Sequence, residues 1–387
     1  MKVKSILFLL VTATFFVVSC NKDEVIPPQS TAIATGTITG KVMVKNGQKP
    51  VGGALVFTFN DKSEIYTTHT DANGNFSLKA PIGNRKLQIQ TGGGANFRTT
   101  IPVTVAKNQS IAIEPALTRL DQVARMAYVV GSYDNIQDIV TSLGYTIEAI
   151  TSNDLENYSI VSQYDIVFLN CGADRLGSNR PAVDINLANF VTNGGSIYAS
   201  DWSVAYLTGG AYHSNQCGEA GGFIPDDKLC TKANGVASTI TGAQISNSDL
   251  ATALGFSTLD IVYDLVAWEK VESYDPTFWD VLVTDPATSK PLMIKTNHFC
   301  GGTVSEGVGV SGGDNWMTIC HKISATESVT ISIDASEWPE HQAHGDSIGD
   351  CTNSGNCGSI YFTTFHNHAS GNIGNTIYIL EYVILNL

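Results

Sequence analysis

Residues 194–207 read GGSIYASDWSVAYL: two glycines, a short apolar run, then Ser200, Asp201 and Ser203 clustered before a segment that can start a helix. A strand entering a sharp turn ahead of a helix holds a side chain up for attack on a substrate. A serine hydroxyl there needs a base within hydrogen-bond reach, itself oriented by a third group. His366, in the run FTTFHNH, supplies an imidazole, and Asp174, after YDIVFLNCG, supplies a carboxylate. Tyr198 and Trp202 stand where the glycines of a G-x-S-x-G elbow would relieve strain, so the turn departs from that pattern. His366 and His368 are two residues apart, and on one strand both point to the same face. With Asp201 and His213 they make a carboxylate and imidazole set suited to zinc or iron. The catalytic candidates are therefore Ser200, Asp201, His366 and His368. The metal candidates are Asp201, His213, His366 and His368, and histidines that are simply hydrogen-bonded at a sheet edge are the plain alternative.

Other residues invite weaker chemistry. Cys171 ends the apolar run YDIVFLNC, which favours a buried free thiol over a thiol nucleophile. The stretch SEWPEHQAHGDSIGDCTNSGNC carries His341, His344, Asp346 and Asp350. Its oxygens suit calcium, but the spacing is not that of an EF-hand loop. A solvated acidic loop held by a disulfide is the simpler expectation. Trp202, Tyr206, Tyr212, Trp316 and Trp338 fall in or near the predicted loops. Exposed, they would offer flat apolar faces to a sugar; buried, they are core. Asp174, Trp202 and Tyr206 are the binding candidates. No cofactor is indicated, and a metal ion is the one conceivable exception.

The elements that must position these groups fall in two regions. Residues 36–118 alternate in short runs (GTITGKVMV, GALVFTFN, NFSLKAP, RKLQIQT) broken by Gly, Asn, Asp and Pro, which argues for an all-β sandwich. The isolated His69 there is expected on the surface. From residue 119 the pattern becomes strand, helix, strand, strand, helix, strand. RMAYVVG, YTIEAI, YDIVFLNCG and SIYASD are strands, and NIQDIVTSLG and PAVDINLANFVTNGG are helices. That order argues for a parallel sheet with helices on both faces, where ligands bind beyond the carboxyl ends of the strands. An insertion at about 209–345, rich in Gly, Ser, Asn and Asp, is expected to cover the top of the sheet. GSIYFTTFHNH and NTIYILEYVILNL close the domain.

The N-terminus MKVKSILFLLVTATFFVVSC has two lysines, an apolar stretch from Ile6 to Val18, and Ser19-Cys20. It reads as a secretory signal over residues 1–19. Residues 20–35 read as a flexible tether. No other stretch reaches the roughly 18 apolar residues of a spanning helix. The chain of 387 residues has 22 basic and 36 acidic residues, a net charge of -14, which gives no electrostatic case for nucleic acid. Eight cysteines in an exported chain point to disulfides. Pairing of neighbours joins Cys217 to Cys230, Cys300 to Cys320 and Cys351 to Cys357, although sequence alone does not fix connectivity. No C-x-x-C pair suggests a zinc site built from cysteines.

Three resemblances sharpen this reading. VVSC resembles the lipobox of bacterial lipoproteins, which implies acylation of Cys20 and anchoring of an exported protein at the outer membrane, on its cell surface or periplasmic face. The marks Gly40, Gly53-Ala54, Val56, Thr70-Asp71, Gly74, Phe76, Pro81 and Gly83 resemble the carboxypeptidase regulatory-like domain, a transthyretin-like sandwich, which implies a spacer without chemistry. The segment YDIVFLNCGAD through GSIYFTTFHNH resembles the class I glutamine-amidotransferase-like superfamily, which implies a flavodoxin-like α/β fold over 119–387. Its nucleophile cysteine is missing from the elbow, and His368 stands where its acid would be. The expectation is therefore a multi-domain chain, a β-sandwich plus a flavodoxin-like α/β sheet with a disulfide-containing insertion. Its expected role is non-catalytic binding or assembly at the cell envelope, with carbohydrate or an envelope protein as partner. The alternative is a Ser/Asp–His or metal-assisted hydrolase; glutaminase activity is not expected.

Overall fold

The computed structural model describes residues 33–92, 96–173, 179–210, 216–219, 221–298, 316–324, 327–349, 351, 358–367 and 375–387. Asp174, Tyr212, His213, Cys300, Asp350, Cys357 and His368 lie outside them, as do Cys20 and the predicted signal and tether. Residues 34–387 form one compact unit. The chain is mostly β, arranged in several sheets.

The first region is a sandwich of a three-stranded and a five-stranded sheet. Thr35–Lys41 pairs with Asn75–Pro81 and Ser110–Ala112. The larger sheet runs in the order Ile65–His69, Leu55–Phe59, Gly83–Thr91, Phe97–Val105 and Asp121–Gln122. The alternation read in the sequence is seen in Asn75–Pro81, where Phe76, Leu78 and Ala80 are buried between exposed residues. The turn at Asp71 forms because its carboxylate accepts the backbone N–H groups of Asn73 and Asn75, while Gly74 takes φ +77°.

The second region is a nine-stranded sheet. Its parallel half runs Glu148–Ile150, Met126–Val129, Ile166–Leu169, Ser196–Ser200 and Ile360–Thr363. In chain order these parallel strands lie second, first, third, fourth, fifth. The central strands Ile166–Leu169, Ser196–Ser200 and Ile360–Thr363 are buried at every residue because both faces are covered, while the edge strand Glu148–Ile150 is largely exposed. Ile166, Phe168, Tyr198 and Tyr361 pack on one side with the helices Ile136–Ser142 and Thr376–Asn386. Val167, Leu169, Ile197, Ala199 and Phe362 pack on the other with the helix Arg180–Thr192. The first of these cores continues into the sandwich through Leu120, Ala124 and Met126. The C-terminal helix docks there as well: Thr91 donates to the Leu385 carbonyl at 2.9 Å and Asn96 to the Leu387 carbonyl at 2.7 Å.

The insertion differs from its expected place above the sheet. Four of its strands, Pro291–Thr296, Asp280–Thr284, Ser238–Ile245 and Thr258–Tyr263, extend the sheet beyond Ile360–Thr363 in antiparallel order. Strands Ser328–Asp334, Trp316–Lys322 and Ser347–Ile348 form a separate sheet. Its Met317, Ile319, Ile331 and Ile333 pack on Leu55 and Phe57 of the sandwich. Of the described strands of the insertion, Glu269–Tyr274, paired with Leu229–Ala233, packs on the elbow. The reason is pattern: these runs have apolar faces that need partners, and the open sheet edge and the sandwich face supply them. The apolar run STLDIVYDLVAWEKV forms two strands, broken between Tyr263 and Glu269, where Ala267 takes φ +61°.

The disulfides correct the neighbour scheme in part. Cys217 joins Cys230 as expected. Cys320 joins Cys351, which removes the predicted Cys300–Cys320 and Cys351–Cys357 pairs. The separate sheet brings Cys320 beside the loop after Ser347–Ile348, a proximity that sequence spacing does not reveal. Cys171 is free and buried. No helix among the described residues is long and apolar enough to cross a membrane.

Candidate functional site

The elbow is held by close backbone packing. A Cβ on Gly195 would lie 2.3 Å from the Phe190 ring, and one on Gly358 would lie 1.7 Å from the Gly195 carbonyl oxygen. Both glycines let the start of Ser196–Ser200 sit against its neighbours. At the other end of the strand, Asp201 takes φ +47° and the chain enters a short helical turn, Asp201–Val204. Aspartate tolerates this left-handed conformation better than most residues. Ser203 accepts the Ser200 N–H at 2.8 Å and donates to the Leu169 carbonyl at 2.7 Å.

The side chain at the tip is Asp201, and the Ser200 hydroxyl points elsewhere. Ser200 donates to Asp134 Oδ2 at 2.5 Å and accepts the Cys171 N–H at 3.0 Å. Asp134 also accepts the Asn367 N–H at 3.1 Å, so one buried carboxyl ties together the ends of four parallel strands. Burial pushes its pKa up to about 7 against the pull of these hydrogen bonds. The hydroxyl proton a base would take from Ser200 is already engaged in the hydrogen bond to Asp134.

Asp201 is 1% exposed. Its Oδ1 accepts the Glu269 N–H at 2.7 Å, and its Oδ2 lies 3.7 Å from Cys171 Sγ and 3.6 Å from His366 Nδ1. The structure thus brings together Asp201 and His366, and adds Cys171. Burial, with Glu269 and Asp134 adding repulsion, drives the Asp201 carboxyl well above the usual carboxylate range. Burial and the neighbouring Asp201 likewise raise the Cys171 thiol. Glu269, beside Thr231 and Gln216, is pushed up to about 8 by burial. Burial thus favours the protonated forms of these groups, and protonated forms are poor nucleophiles. Donor atoms of Cys171, Asp201 and His366 lie within 4.8 Å of one another. Binding a metal there would require deprotonating groups whose surroundings oppose it.

Asp134 and Glu269 were not among the sequence candidates. Asp134 closes the first parallel strand before its helix, the place where such sheets deliver polar groups. Glu269 is a single acid in the run LVAWEKV, and nothing local marks it as buried.

Among the described aromatic candidates, Trp202 and Tyr206 face inward, and Trp316 and Trp338 are half-buried. Trp202 is 4% exposed and donates from Nε1 to the Ala267 carbonyl at 2.7 Å; Tyr206 is fully buried. Trp316 is covered by the Arg98 guanidinium at 3.8 Å, and Trp338 packs against the sandwich-side core. A cleft of about 420 Å³ opens instead beside the ribbon, lined among others by Val236, Trp268, Lys270, Glu272 and Lys290. Trp268 stacks on Tyr263 at 3.9 Å. Its neighbour in sequence, Glu269, is the residue that holds Asp201.

A second cluster replaces the expected solvated loop. His341 and Asp346 are buried, and three imidazoles converge on the Asp346 carboxylate. His321 and His341 reach Oδ2 through Nδ1 at 2.6 and 2.7 Å, and His344 reaches Oδ1 at 3.0 Å. The Lys322 N–H adds a bond at 2.9 Å. Against the opposing effect of burial, these donors hold the carboxyl down at about 2.

Comparison with known proteins identifies only the first region. A family model for the carboxypeptidase regulatory-like domain matches residues 37–118. No curated protein matches the chain. Solved structures with local likeness include a Bacteroides uniformis protein provisionally described as carbohydrate binding, 14% identical, covering 25% of this chain and 45% of that one at a TM-score of 0.18. The Bacillus anthracis TIE protein is 15% identical over 25% of this chain and 19% of its own, at a TM-score of 0.19. A DUF3823 family protein from Bacteroides ovatus is 22% identical over 26% and 50%, at a TM-score of 0.18. The chain spans half or less of each of these structures, and likeness at such scores carries no weight for function. Residues 37–118 are a carboxypeptidase regulatory-like domain.

Proposed function

We propose that the protein is a non-catalytic binding protein of the cell envelope, exported and anchored through a lipid on Cys20. In this reading the second region is a glutamine-amidotransferase-like, flavodoxin-like domain whose elbow has become a buttress. The order of its parallel strands, the positive φ at the elbow and the approach of His366 support the kinship. The observation that carries the loss of catalysis is Asp201 itself. It occupies the nucleophile's place, is buried, and gives its carboxyl to the Glu269 N–H.

Ligand binding then falls to the cleft beside Trp268. Lys270, Glu272 and Lys290 offer charged hydrogen-bonding groups around an apolar wall, a mixture that suits a saccharide. The test is chemical labelling of the native protein. Neither a fluorophosphonate nor iodoacetamide is expected to label it, and unfolding in urea should expose Cys171 to iodoacetamide. Native labelling lost on Ser200→Ala or Cys171→Ser would overturn the reading in favour of a hydrolase. Saccharide binding weakened by Lys270→Ala would support the cleft. Palmitate incorporation lost on Cys20→Ser would support the anchor.

The 3.6 Å approach of Asp201 to His366 is the observation that favours the second reading, an acid–base pair acting in hydrolysis. That reading requires turnover abolished by Asp201→Asn in a folded protein.

A further inference from the structure

The cluster on Asp346 is more than a buried salt bridge. An imidazole has two nitrogens to satisfy. The Nδ1 atoms of His321, His341 and His344 all face one carboxylate. His321 is 1% exposed at its side chain, and its Nε2 has no hydrogen-bond partner among the described residues. A buried ring nitrogen left unpaired is costly in any folded protein and marks a place where a partner is missing.

The surroundings explain why these rings stand where they do. His321 lies on the strand Trp316–Lys322, and His341 and His344 lie one turn apart on the helix Trp338–His344. Gly345 takes φ +92° to end that helix and swing Asp346 back against the strand. Phe59 of the sandwich presses edge-on against His321 and His341, and the His321 and His344 rings stack at 4.9 Å. The Cys320–Cys351 disulfide, next to His321, ties the two sides of this loop. The donors are thus held in place before anything binds, which is what a high-affinity site requires.

We propose that His321, His344 and Asp346 hold a divalent transition-metal ion, zinc, with His341 orienting the carboxylate. One donor atom from each of the three ligands lies within 4.8 Å of the others. Two imidazoles and a carboxylate are a zinc donor set that leaves a fourth position for water or a ligand group. Calcium would take six to eight oxygens, which this nitrogen-rich cluster does not offer. The His344 side chain is 32% exposed, which gives the ion a route from solvent and puts the fourth position at the surface. His341, bonded to Asp346 Oδ2, is then the outer partner that fixes a ligating carboxylate. Binding displaces hydrogen-bonded protons, so uptake of zinc releases protons to the buffer.

The experiment is zinc titration of untagged, chelator-treated protein with its disulfides intact, followed by calorimetry and X-ray absorption. One zinc per chain is expected, in a shell of nitrogen and oxygen only. His344→Gln should lower the affinity at least about 100-fold, and His341→Gln about 10- to 100-fold. His344 is chosen because its exposure lets the variant fold; an unchanged circular dichroism spectrum checks this. Absence of zinc uptake at micromolar concentrations by the wild-type protein would overturn the proposal. So would undiminished uptake by the folded His344→Gln variant, or sulfur in the metal shell, which would move the ion to Cys171, Asp201 and His366.

Discussion

Asp201 and Asp346 are both buried aspartates, and they sit in opposite electrostatic worlds. Asp201 meets a thiol, a backbone N–H and the nearby acids Glu269 and Asp134, and burial pushes its pKa far up. Asp346 meets three imidazoles and a backbone N–H, and they hold its pKa at about 2 in spite of burial. Depth alone therefore does not decide the charge of a buried acid; the donors around it do. The surroundings of the first favour the proton, and those of the second favour the negative charge.

That contrast can be broken by substitution, and the largest effect belongs to the charged site. Asp346→Ala removes the acceptor shared by three rings and should cost about 3–5 kcal/mol at neutral pH, read from urea unfolding. A loss below about 1 kcal/mol would mean that the imidazoles do not depend on it. The paired Cys320→Ser and Cys351→Ser variant opens a loop with a sequence separation of 31 and should cost roughly 4 kcal/mol in the same assay. At the neutral site, Asp201→Ala strands the Glu269 N–H and should cost about 1–3 kcal/mol.

The pH dependence should show the two sites with opposite sign. Asp134 and Glu269 have folded pKa values raised to about 7 and about 8, so the folded state binds their protons more tightly than the unfolded chain. Their contribution is full below about pH 4 and is lost as pH rises toward 8, at up to about 1.4 kcal/mol per pH unit for each group. Glu269→Gln should flatten that decline. Asp346, lowered to about 2, contributes above about pH 4 and loses its contribution as pH falls toward 2. Unfolding midpoints measured across pH 2–9 separate the two trends. The smallest effect is expected for Asp201→Asn, within about 1 kcal/mol at pH 7, because asparagine matches a protonated aspartate in shape and tolerates the positive φ. A large loss there would mean that Asp201 is ionised in the folded protein.

Much of the framework was legible in the residues. The alternation in NFSLKAP appears as strand Asn75–Pro81 with its even face buried. The continuous apolar run IVFL appears as a strand buried on both faces, since a parallel sheet covered by helices leaves no polar side. The run ISNSDLATALG carries a helix cap and a stop signal, and it forms the helix Ser248–Leu254, with the Asn247 side chain accepting the Leu250 N–H at 2.8 Å and Gly255 ending it at φ +78°. The candidate site was legible only in part. The elbow and His366 were found from local pattern, but the partner of each came from elsewhere: Glu269 from 68 residues downstream of Asp201, and Asp134 from 66 upstream of Ser200. His321 carried no local signal at all, because it lies on a strand far in sequence from the His341–Asp346 segment it completes.

The sequence by itself determined periodicity, turns and caps, since these depend on interactions within a few residues along the chain. It also determined that the elbow carries hydroxyl and carboxyl side chains, at Ser200, Asp201 and Ser203, and no cysteine. Tertiary structure alone decided which acids are pushed toward their protonated forms, that Cys320 joins Cys351, and which histidines meet. Those outcomes depend on dielectric and distance between residues remote in the chain, and no local pattern encodes them.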